Sequence, residues 1–147
     1  MAVLDGRALA EHARALLLPH VETAVIAGRD GAIPDLPRAD IGPLGGIAGA
    51  LGYAAQRGFT SVVTIACDMP WLPDGLLTAL SRRASAYCPD APVLGHWETG
   101  LLGNLLTHIE TVPRRSVRGW AKAIGAIQIP AGASIPNVNT PQDLETL

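Results

Sequence analysis

The sequence predicts a single α/β domain, residues 1–147, with a mostly parallel sheet covered by helices. Stretches with apolar residues at helical spacing alternate along the chain with short apolar strands. The clearest strand, residues 61–66, is β-branched and almost continuously apolar, which is typical of a strand covered on both faces. Such alternation favours a parallel sheet between helices, and 147 residues are enough for one domain.

Composition excludes several classes of function. Apolar residues make up 48% of the chain and charged residues 16%, which is typical of a folded chain rather than a disordered one. The net charge of −2 gives no basic field for nucleic acid, and no apolar run is long enough to span a membrane. The first residues lack the apolar stretch of a signal peptide, so we expect a cytoplasmic protein. Cys67 and Cys88 lack metal-ligand spacing, and each is expected to be a buried or partly buried reduced thiol.

The first half of the chain contains two predicted helices and two predicted strands, with a long loop between them. Pro19 stops the first helix, and Gly58 suits the C-terminal cap of the second. The loop is rich in Gly, Pro and Asp, which are turn-forming residues. The predicted helices are 7–18 and 46–57, the predicted strands are 23–27 and 61–66, and the predicted loop is 28–38.

The second half continues the alternation. Ser116 is a predicted N-cap and Gly125 a predicted C-cap, while Thr140 with Pro141 opens a terminal helix. The other predicted helices are 74–86, 100–109 and 116–124, and the predicted strands are 91–94 and 126–129. In sheets of this type the ligand lies beyond the carboxyl ends of the strands. We therefore expect a site among the loop after 23–27, the turn at Asp68 and the loop after 126–129.

A glycine-rich turn opens the helix at 46–57. Its sequence is Ile-Gly-Pro-Leu-Gly-Gly-Ile-Ala-Gly, residues 41–49. Glycine lets a backbone approach a ligand closely, and a helix N-terminus offers unpaired N–H groups to a phosphate, sugar or base. The alternative is a tight connection from loop to helix with close helix packing.

A carboxylate, Asp68, follows the clearest strand within Ile-Ala-Cys-Asp-Met-Pro-Trp-Leu-Pro, residues 65–73. A charge at the end of a buried strand is costly unless it is paired. Mg²⁺ bound to a nucleotide would pair it, because Mg²⁺ prefers one or two carboxylates together with substrate phosphates. The alternative is that Asp68 caps the following turn.

Two asparagines, Asn137 and Asn139, precede the terminal helix. An asparagine side chain both donates and accepts hydrogen bonds, which suits a polar ligand. Turn formation and capping are the alternative role for this pair.

Taken together, the three motifs resemble the molybdenum-cofactor guanylyltransferase family, which transfers GMP from GTP to molybdopterin. The resemblance rests on the order and spacing of Gly-Pro-Leu-Gly-Gly-Ile (42–47), Cys-Asp-Met-Pro-Trp-Leu-Pro (67–73) and Asn-Val-Asn-Thr-Pro-Gln-Asp-Leu (137–144). Met69 favours the guanine enzyme, since the related cytidylyltransferases tend to carry Gln there. The resemblance implies a three-layer α/β/α fold of Rossmann-like type.

The resemblance also implies roles for individual residues. Asp68 corresponds to the catalytic magnesium ligand, and Asp35 to an acidic residue that contacts the nucleotide. A surface turn residue is the alternative for Asp35. The implied cofactor is Mg²⁺, and the implied partners are GTP and molybdopterin, with molybdoenzyme maturation proteins as a further option. The implied nucleotide-binding residues are Asp35, Gly42, Pro43, Leu44, Gly45 and Asp68, and those on the pterin side are Asn137 and Asn139.

The sequence departs from the family at its amino-terminal end. The family begins with a strand and a loop of the form Leu-Ala-Gly-Gly-x-Ser-x-Arg-x-Gly-x-Asp-Lys, which wraps the triphosphate, and nothing in this sequence matches it. The resemblance places Met1 just after that loop, so the first, central strand of the sheet is absent from residues 1–147. Without that strand, two neighbouring strands would face each other across a vacant slot with unpaired backbone groups, which is costly. Either residues outside 1–147 supply the strand, or the sheet closes the gap differently, for instance with another copy of the chain. In each case we expect no GMP transfer by residues 1–147 alone. At Gly28 the family often has Asn, so one nucleotide contact is lost or made by backbone.

Two other functions stay open. One is a related nucleotidyltransferase, such as a cytidylyltransferase or a 2-phospholactate guanylyltransferase. The other is a non-catalytic module that binds molybdopterin or a partner enzyme, which the missing loop favours.

Two weaker features also bear on the pterin side. His96 and Trp97 follow a predicted strand, where they either line a pterin pocket or pack. The basic cluster, defined by Arg114, Arg115, Arg118 and Lys122, either contacts a phosphate of molybdopterin or forms a solvated face.

Overall fold

In the part of the chain that the structure describes, helices lie on both faces of a four-stranded sheet, and a second sheet has two short strands. The computed structural model describes residues 3–4, 7–25, 33–39, 41–66, 69 and 71–132. The elements in chain order are β1 (Val3–Leu4), β2 (Arg7–Ala8), α1 (Leu9–Leu17), α2 (Pro43–Gln56), β3 (Ser61–Thr64), α3 (Leu76–Ser81), β4 (Ala86–Cys88), β5 (Ala91–Glu98), α4 (Leu102–Thr111), α5 (Val117–Ala123) and β6 (Ile127–Gln128).

The larger sheet is mixed, with the strand order β3-β5-β4-β6. β5 runs antiparallel to both β3 and β4, whereas β4 and β6 are parallel. β3, β4 and β6 therefore run in one direction and β5 runs in the opposite one. The sequence predicts a mostly parallel sheet, and this is correct for the direction of three of these strands, whereas both pairings of β5 are antiparallel. The reason is that β4 and β5 form a hairpin, and antiparallel strands can be joined by a very short turn.

Side chains alternate between the two faces of the sheet and build two cores. On one face, helices α2, α4 and α5 pack over Tyr87 and Trp97. On the other face, Leu17 of α1 and the leucines of α3 pack over Ala86, Cys88 and Leu94. The alternation within β4 and β5 follows the period of two that a strand imposes. The three-layer α/β/α architecture expected from the sequence is therefore present.

Several predicted elements are confirmed with shifted ends. α1 lies within the predicted 7–18, and α2 begins at Pro43 rather than residue 46 because Gly42 caps it with φ 96° and proline suits the first helical position. Gly58 and Gly125 follow α2 and α5 with φ values of 80° and 71°, as C-terminal glycines do. The helix predicted at 100–109 starts at Leu102, after a turn of 3₁₀ helix.

The helix predicted at 74–86 is wrong in its second half. The helix ends at Ser81, and β4 begins at Ala86. Ala86, Tyr87 and Cys88 are all buried, and their backbone pairs with β5 on one side and β6 on the other. Two-sided pairing outweighs a weak local preference for helix. The strand predicted at 91–94 continues to Glu98 for the same reason, since it pairs with both β3 and β4.

The segment predicted as the strand 23–27 is not a strand over its described residues, 23–25. Its Ala24 carbonyl instead accepts a hydrogen bond from Arg14 Nε of α1, at 2.9 Å. A cavity of about 530 Å³ lies between this segment and β3, with α1 and α2 forming its other walls. Among the described strands only β5 pairs with β3, so the cavity borders the other edge of β3.

The terminal helix predicted from Thr140 lies outside the described residues. Within the described part of the chain, none of the helices has both the length and the apolar character needed to cross a bilayer.

Candidate active site

The carboxyl ends of β3, β4 and β6 define one edge of the sheet, since these strands share a direction. The N-terminus of α2 lies at the same edge, because a short turn connects the end of α2 to the start of β3. Pro43 and Gly46 of α2 and Ile65 and Ala66 after β3 line the same cavity. The glycine-rich turn and the end of the clearest strand therefore border a common space.

The glycine-rich turn presents backbone rather than side chains. Gly42 and Pro43 are exposed, and the Gly45 amide donates to the Gly42 carbonyl at 3.0 Å. Leu44 is fully buried in the core beneath α2, so its side chain points away from the edge and only its backbone is available there. This geometry is compatible with both roles considered for the motif, a ligand-binding turn and a tight connection.

Asp35 lies against the first turn of α2. A Cβ atom added to Gly45 would lie 3.2 Å from Asp35 Oδ2, and one added to Gly46 would lie 3.8 Å from Oδ1. The neighbouring Leu36 amide donates to the Gly45 carbonyl at 3.1 Å. The structure therefore brings Asp35 together with the glycine-rich turn, although the two are separated in sequence by a loop.

Asp68, Asn137 and Asn139 lie outside the described residues, so their shared placement stays a prediction. After β3, the Met69 amide donates to the Ala66 carbonyl at 3.3 Å, and Met69 is buried. No cluster of His, Cys, Asp and Glu that could hold a metal occurs among the residues that the structure describes.

Asp90 is a residue that the sequence did not single out. It lies in the turn between β4 and β5, at the same edge, and its Oδ2 accepts a hydrogen bond from the Ala131 amide at 3.0 Å. This hydrogen bond connects the chain after β6 to the β4–β5 turn. Its signal in the sequence is Pro-Asp between two strands, a pattern visible only once β4 is recognised.

Comparison with known proteins supplies the family. A family model described as the MobA-like NTP transferase domain matches residues 1–126. The chain belongs to the MobA-like NTP transferase family. NTP transferases of this family are nucleotidyltransferases, and the chain is therefore a member of an enzyme family.

Individual relatives agree with this assignment. A molybdenum cofactor guanylyltransferase of Rhizobium leguminosarum bv. trifolii (strain WSM2304) is 33% identical, over 97% of this chain and 80% of that protein. Another, from Rhodobacter capsulatus, is 31% identical over 87% of this chain and 75% of its own length. The crystal structure of molybdopterin-guanine dinucleotide biosynthesis protein A from Archaeoglobus fulgidus has the same fold, with a TM-score of 0.73 and 24% identity over 99% of this chain and 86% of that one.

In this MobA-like domain, His96 and Trp97 lie within β5 rather than after a strand, so the predicted position is wrong. His96 is buried, with Nδ1 2.8 Å from the Leu80 carbonyl and Nε2 2.8 Å from Ser61 Oγ. Trp97 is fully buried against Trp120, with ring centroids 4.9 Å apart. Both tryptophans are packing residues, which was one of the two roles considered for Trp97.

The basic cluster is exposed at all four positions. Arg118 Nη2 donates to the Pro89 carbonyl at 2.6 Å, which places its guanidinium beside the β4–β5 turn. Arg115 Nε donates to the Ile109 carbonyl at 3.1 Å. Arg115 and Arg118 therefore form hydrogen bonds to the end of α4 and to the β4–β5 turn. A contact between the cluster and a phosphate stays a prediction.

Cys88 is a buried free thiol, as the sequence predicts, whereas Cys67 lies outside the described residues. Burial raises the pKa of the Cys88 thiol, and hydrogen bonds from the Asp90 and Ala91 backbone offset part of that effect. A protonated thiol in this core is a poor nucleophile, so it gives the domain no covalent chemistry.

Proposed function

We propose that the protein transfers GMP from GTP to molybdopterin and so forms the guanine dinucleotide form of the cofactor. The observation that carries the proposal is the convergence of Asp35, the glycine-rich turn and the end of β3 at one edge of the sheet. The names of the relatives, molybdenum cofactor guanylyltransferases, supply the reaction. Ligands of open α/β sheets bind at this edge.

The nucleotide is proposed to lie against the N-terminus of α2. Backbone of Gly42, Pro43, Leu44 and Gly45 approaches it, and the positive end of the helix dipole favours a negatively charged ligand. The Asp35 carboxylate accepts hydrogen bonds from the base or the sugar, since an ionised carboxylate can only accept.

Magnesium is proposed to be held by Asp68. The residues present fit this ion, because Ala66 borders the cavity, Asp68 follows two residues later, and Mg²⁺ uses few carboxylates when phosphates supply its other ligands. When bound, the ion neutralises negative charge on the triphosphate.

The proposed reaction is an in-line displacement that needs no nucleophilic side chain. A terminal phosphate oxygen of molybdopterin forms a bond to the α-phosphorus of GTP, the bond from that phosphorus to the bridging oxygen breaks, and pyrophosphate leaves. The protein contributes positioning and charge stabilisation, which dominate reactions of this class. Asn137 and Asn139 are proposed to bind the pterin, with the basic cluster near its phosphate.

A first prediction tests the metal ligand. Asp68→Asn is expected to weaken magnesium-dependent GTP binding about tenfold or more, because one charge-assisted contact is worth roughly 1.5–3 kcal/mol. The melting temperature is expected to change little. Calorimetric titration with GTP and Mg²⁺ measures the affinity of the protein that carries the family's strand and triphosphate loop ahead of Met1. Asp74→Asn, which changes an exposed carboxylate close to Asp68 in sequence, is the matched control. Equal affinity of Asp68→Asn and parent rules Asp68 out as a ligand.

Titration with CTP beside GTP distinguishes the proposed guanylyltransferase from a related cytidylyltransferase.

A further inference from the structure

The segment 34–36 crosses helix α2 so closely that a side chain at the crossing point has no room. A Cβ atom on Gly49 would lie 2.3 Å from the Pro34 carbonyl oxygen and 3.2 Å from the Pro34 carbonyl carbon. Both atoms are backbone, so neither can rotate away as the end of a flexible side chain would. The observed path of segment 34–36 therefore requires glycine at position 49, for close approach rather than for an unusual backbone angle.

The same crossing fixes where the Asp35 carboxylate lies. The preceding residue, Pro34, rests on Gly49, and the following residue, Leu36, donates its amide to the Gly45 carbonyl at 3.1 Å. Asp35 is thus held between two backbone contacts on one face of α2. Its carboxylate lies against Gly45 and Gly46 at the start of that helix, where the nucleotide is proposed to bind.

A second contact lies two residues after segment 34–36, at Arg38. Arg38 Nη1 lies 2.7 Å from Glu110 Oε1 of α4, and both side chains are about half exposed. Leu36 also packs against the core beneath α2 and α4. Residues 34–38 therefore contact α2 through Pro34 and α4 through Arg38.

We propose that Gly49 is a positioning residue for nucleotide binding, because it sets the position of Asp35. The Arg38–Glu110 pair holds the chain just after Asp35 against α4. This inference rests on the proposed role of Asp35 at the nucleotide. Ordinary van der Waals contact begins near 3.4 Å, so an alanine at position 49 must displace the Pro34 carbonyl by about 1 Å. A misplacement of about 1 Å in an active site can slow a reaction up to about 100-fold, and the loss of one hydrogen bond to a charged group weakens binding about tenfold.

The test is a double-mutant cycle between Gly49→Ala and Asp35→Asn, with GTP and Mg²⁺ as the titrated ligand. Gly49→Ala is expected to weaken GTP binding about tenfold in the parent and less than about twofold in the Asp35→Asn background, because interacting residues are not additive. Gly103→Ala is the control, since a Cβ there meets nothing within 4 Å and Gly103 lies on exposed α4 surface. Equal losses in both backgrounds mean a general structural role and overturn the proposal.

A second measurement needs no nucleotide, so it separates this inference from the proposed function. Hydrogen exchange of the Leu36 amide, followed by NMR, is expected to speed up in Gly49→Ala because its bond to Gly45 is displaced. Unchanged Leu36 protection overturns the positioning role whether or not the protein binds GTP. If the parent binds no GTP but Leu36 exchange does speed up, the proposed function fails and the positioning of Asp35 stands.

A third variant covers the case in which Gly49→Ala does not fold. Arg38→Glu breaks a surface ion pair, which typically costs a few-fold in an equilibrium, so it is expected to weaken GTP binding about two- to fivefold. The charge swap Arg38→Glu with Glu110→Arg is expected to restore the parent affinity. A loss that the swap does not restore, or no loss at all, contradicts the role of this pair.

Discussion

At the residue scale, three buried or partly buried aromatic side chains in this domain have specific hydrogen-bond partners. Because the Leu80 carbonyl can only accept, His96 Nδ1 carries a proton and donates to it, and Nε2 forms a second hydrogen bond with the Ser61 hydroxyl. The Trp97 indole N–H donates to Thr64 Oγ1, and that of Trp120 to Asn104 Oδ1, each at 2.9 Å. Buried polar groups cost free energy unless they are bonded, so these pairs explain how polar atoms are accommodated in the core.

Cys88 gives a prediction at this scale. Its raised pKa and burial keep it a thiol at neutral pH, so alkylation of Cys88 in the native protein is expected to be at least about tenfold slower than in urea. The fold favours the protonated form, so the contribution of Cys88 to stability is full below the usual thiol pKa of about 8.5 and is lost as pH rises through the raised value. Mass spectrometry of labelled peptides resolves Cys88 from Cys67, and equally fast labelling of Cys88 in both states contradicts its burial.

Single residues also show the limits of reading the sequence. Asp35 and the glycine-rich turn could be named from the sequence, but the reason for Gly49 could not, because the carbonyl that approaches it belongs to a distant segment. Asp90 was missed for a similar reason, since its partner is the Ala131 amide. Contacts between segments far apart in sequence leave no local pattern.

At the element scale, caps and apolar spacing determine where helices lie. Ser116 accepts a hydrogen bond from the Gly119 amide at 2.9 Å, as expected of the N-cap of α5. Helices α1, α2 and α5 could therefore be predicted from the sequence. β4 could not, because its three residues continue the helical spacing that precedes them and become a strand only through pairing with β5 and β6.

The N-cap of α5 gives a prediction at this scale. Ser116→Ala is expected to lower the free energy of unfolding by about 1 kcal/mol, within a usual range of roughly 0.5–2 kcal/mol, because the Gly119 amide loses its acceptor. Urea denaturation measures the change. Ser116→Thr keeps a hydroxyl and serves as the control, so equal stability of Ser116→Ala and Ser116→Thr would show that the cap contributes nothing.

At the scale of the whole molecule, the three layers of helices and sheet could be predicted from the sequence, whereas the pairing of the strands could not. Alternating strands and helices predict three layers, and the direction of the strands predicts that a ligand binds at their carboxyl ends. The antiparallel pairing of β5 depends on the hairpin with β4, which was not recognised. The walls of the cavity of about 530 Å³ beside β3 are α1, the 20–25 segment, α2 and β3.

The most direct test of the central claim is a transfer assay with GTP labelled at the α-phosphate, molybdopterin and Mg²⁺. Two proteins are compared, residues 1–147 alone and the same residues with the family's strand and triphosphate loop joined ahead of Met1. We expect labelled GMP on molybdopterin with the joined protein and none with residues 1–147 alone. A joined protein that binds GTP yet transfers no label contradicts the proposed function, and so does transfer by residues 1–147 alone at a comparable rate.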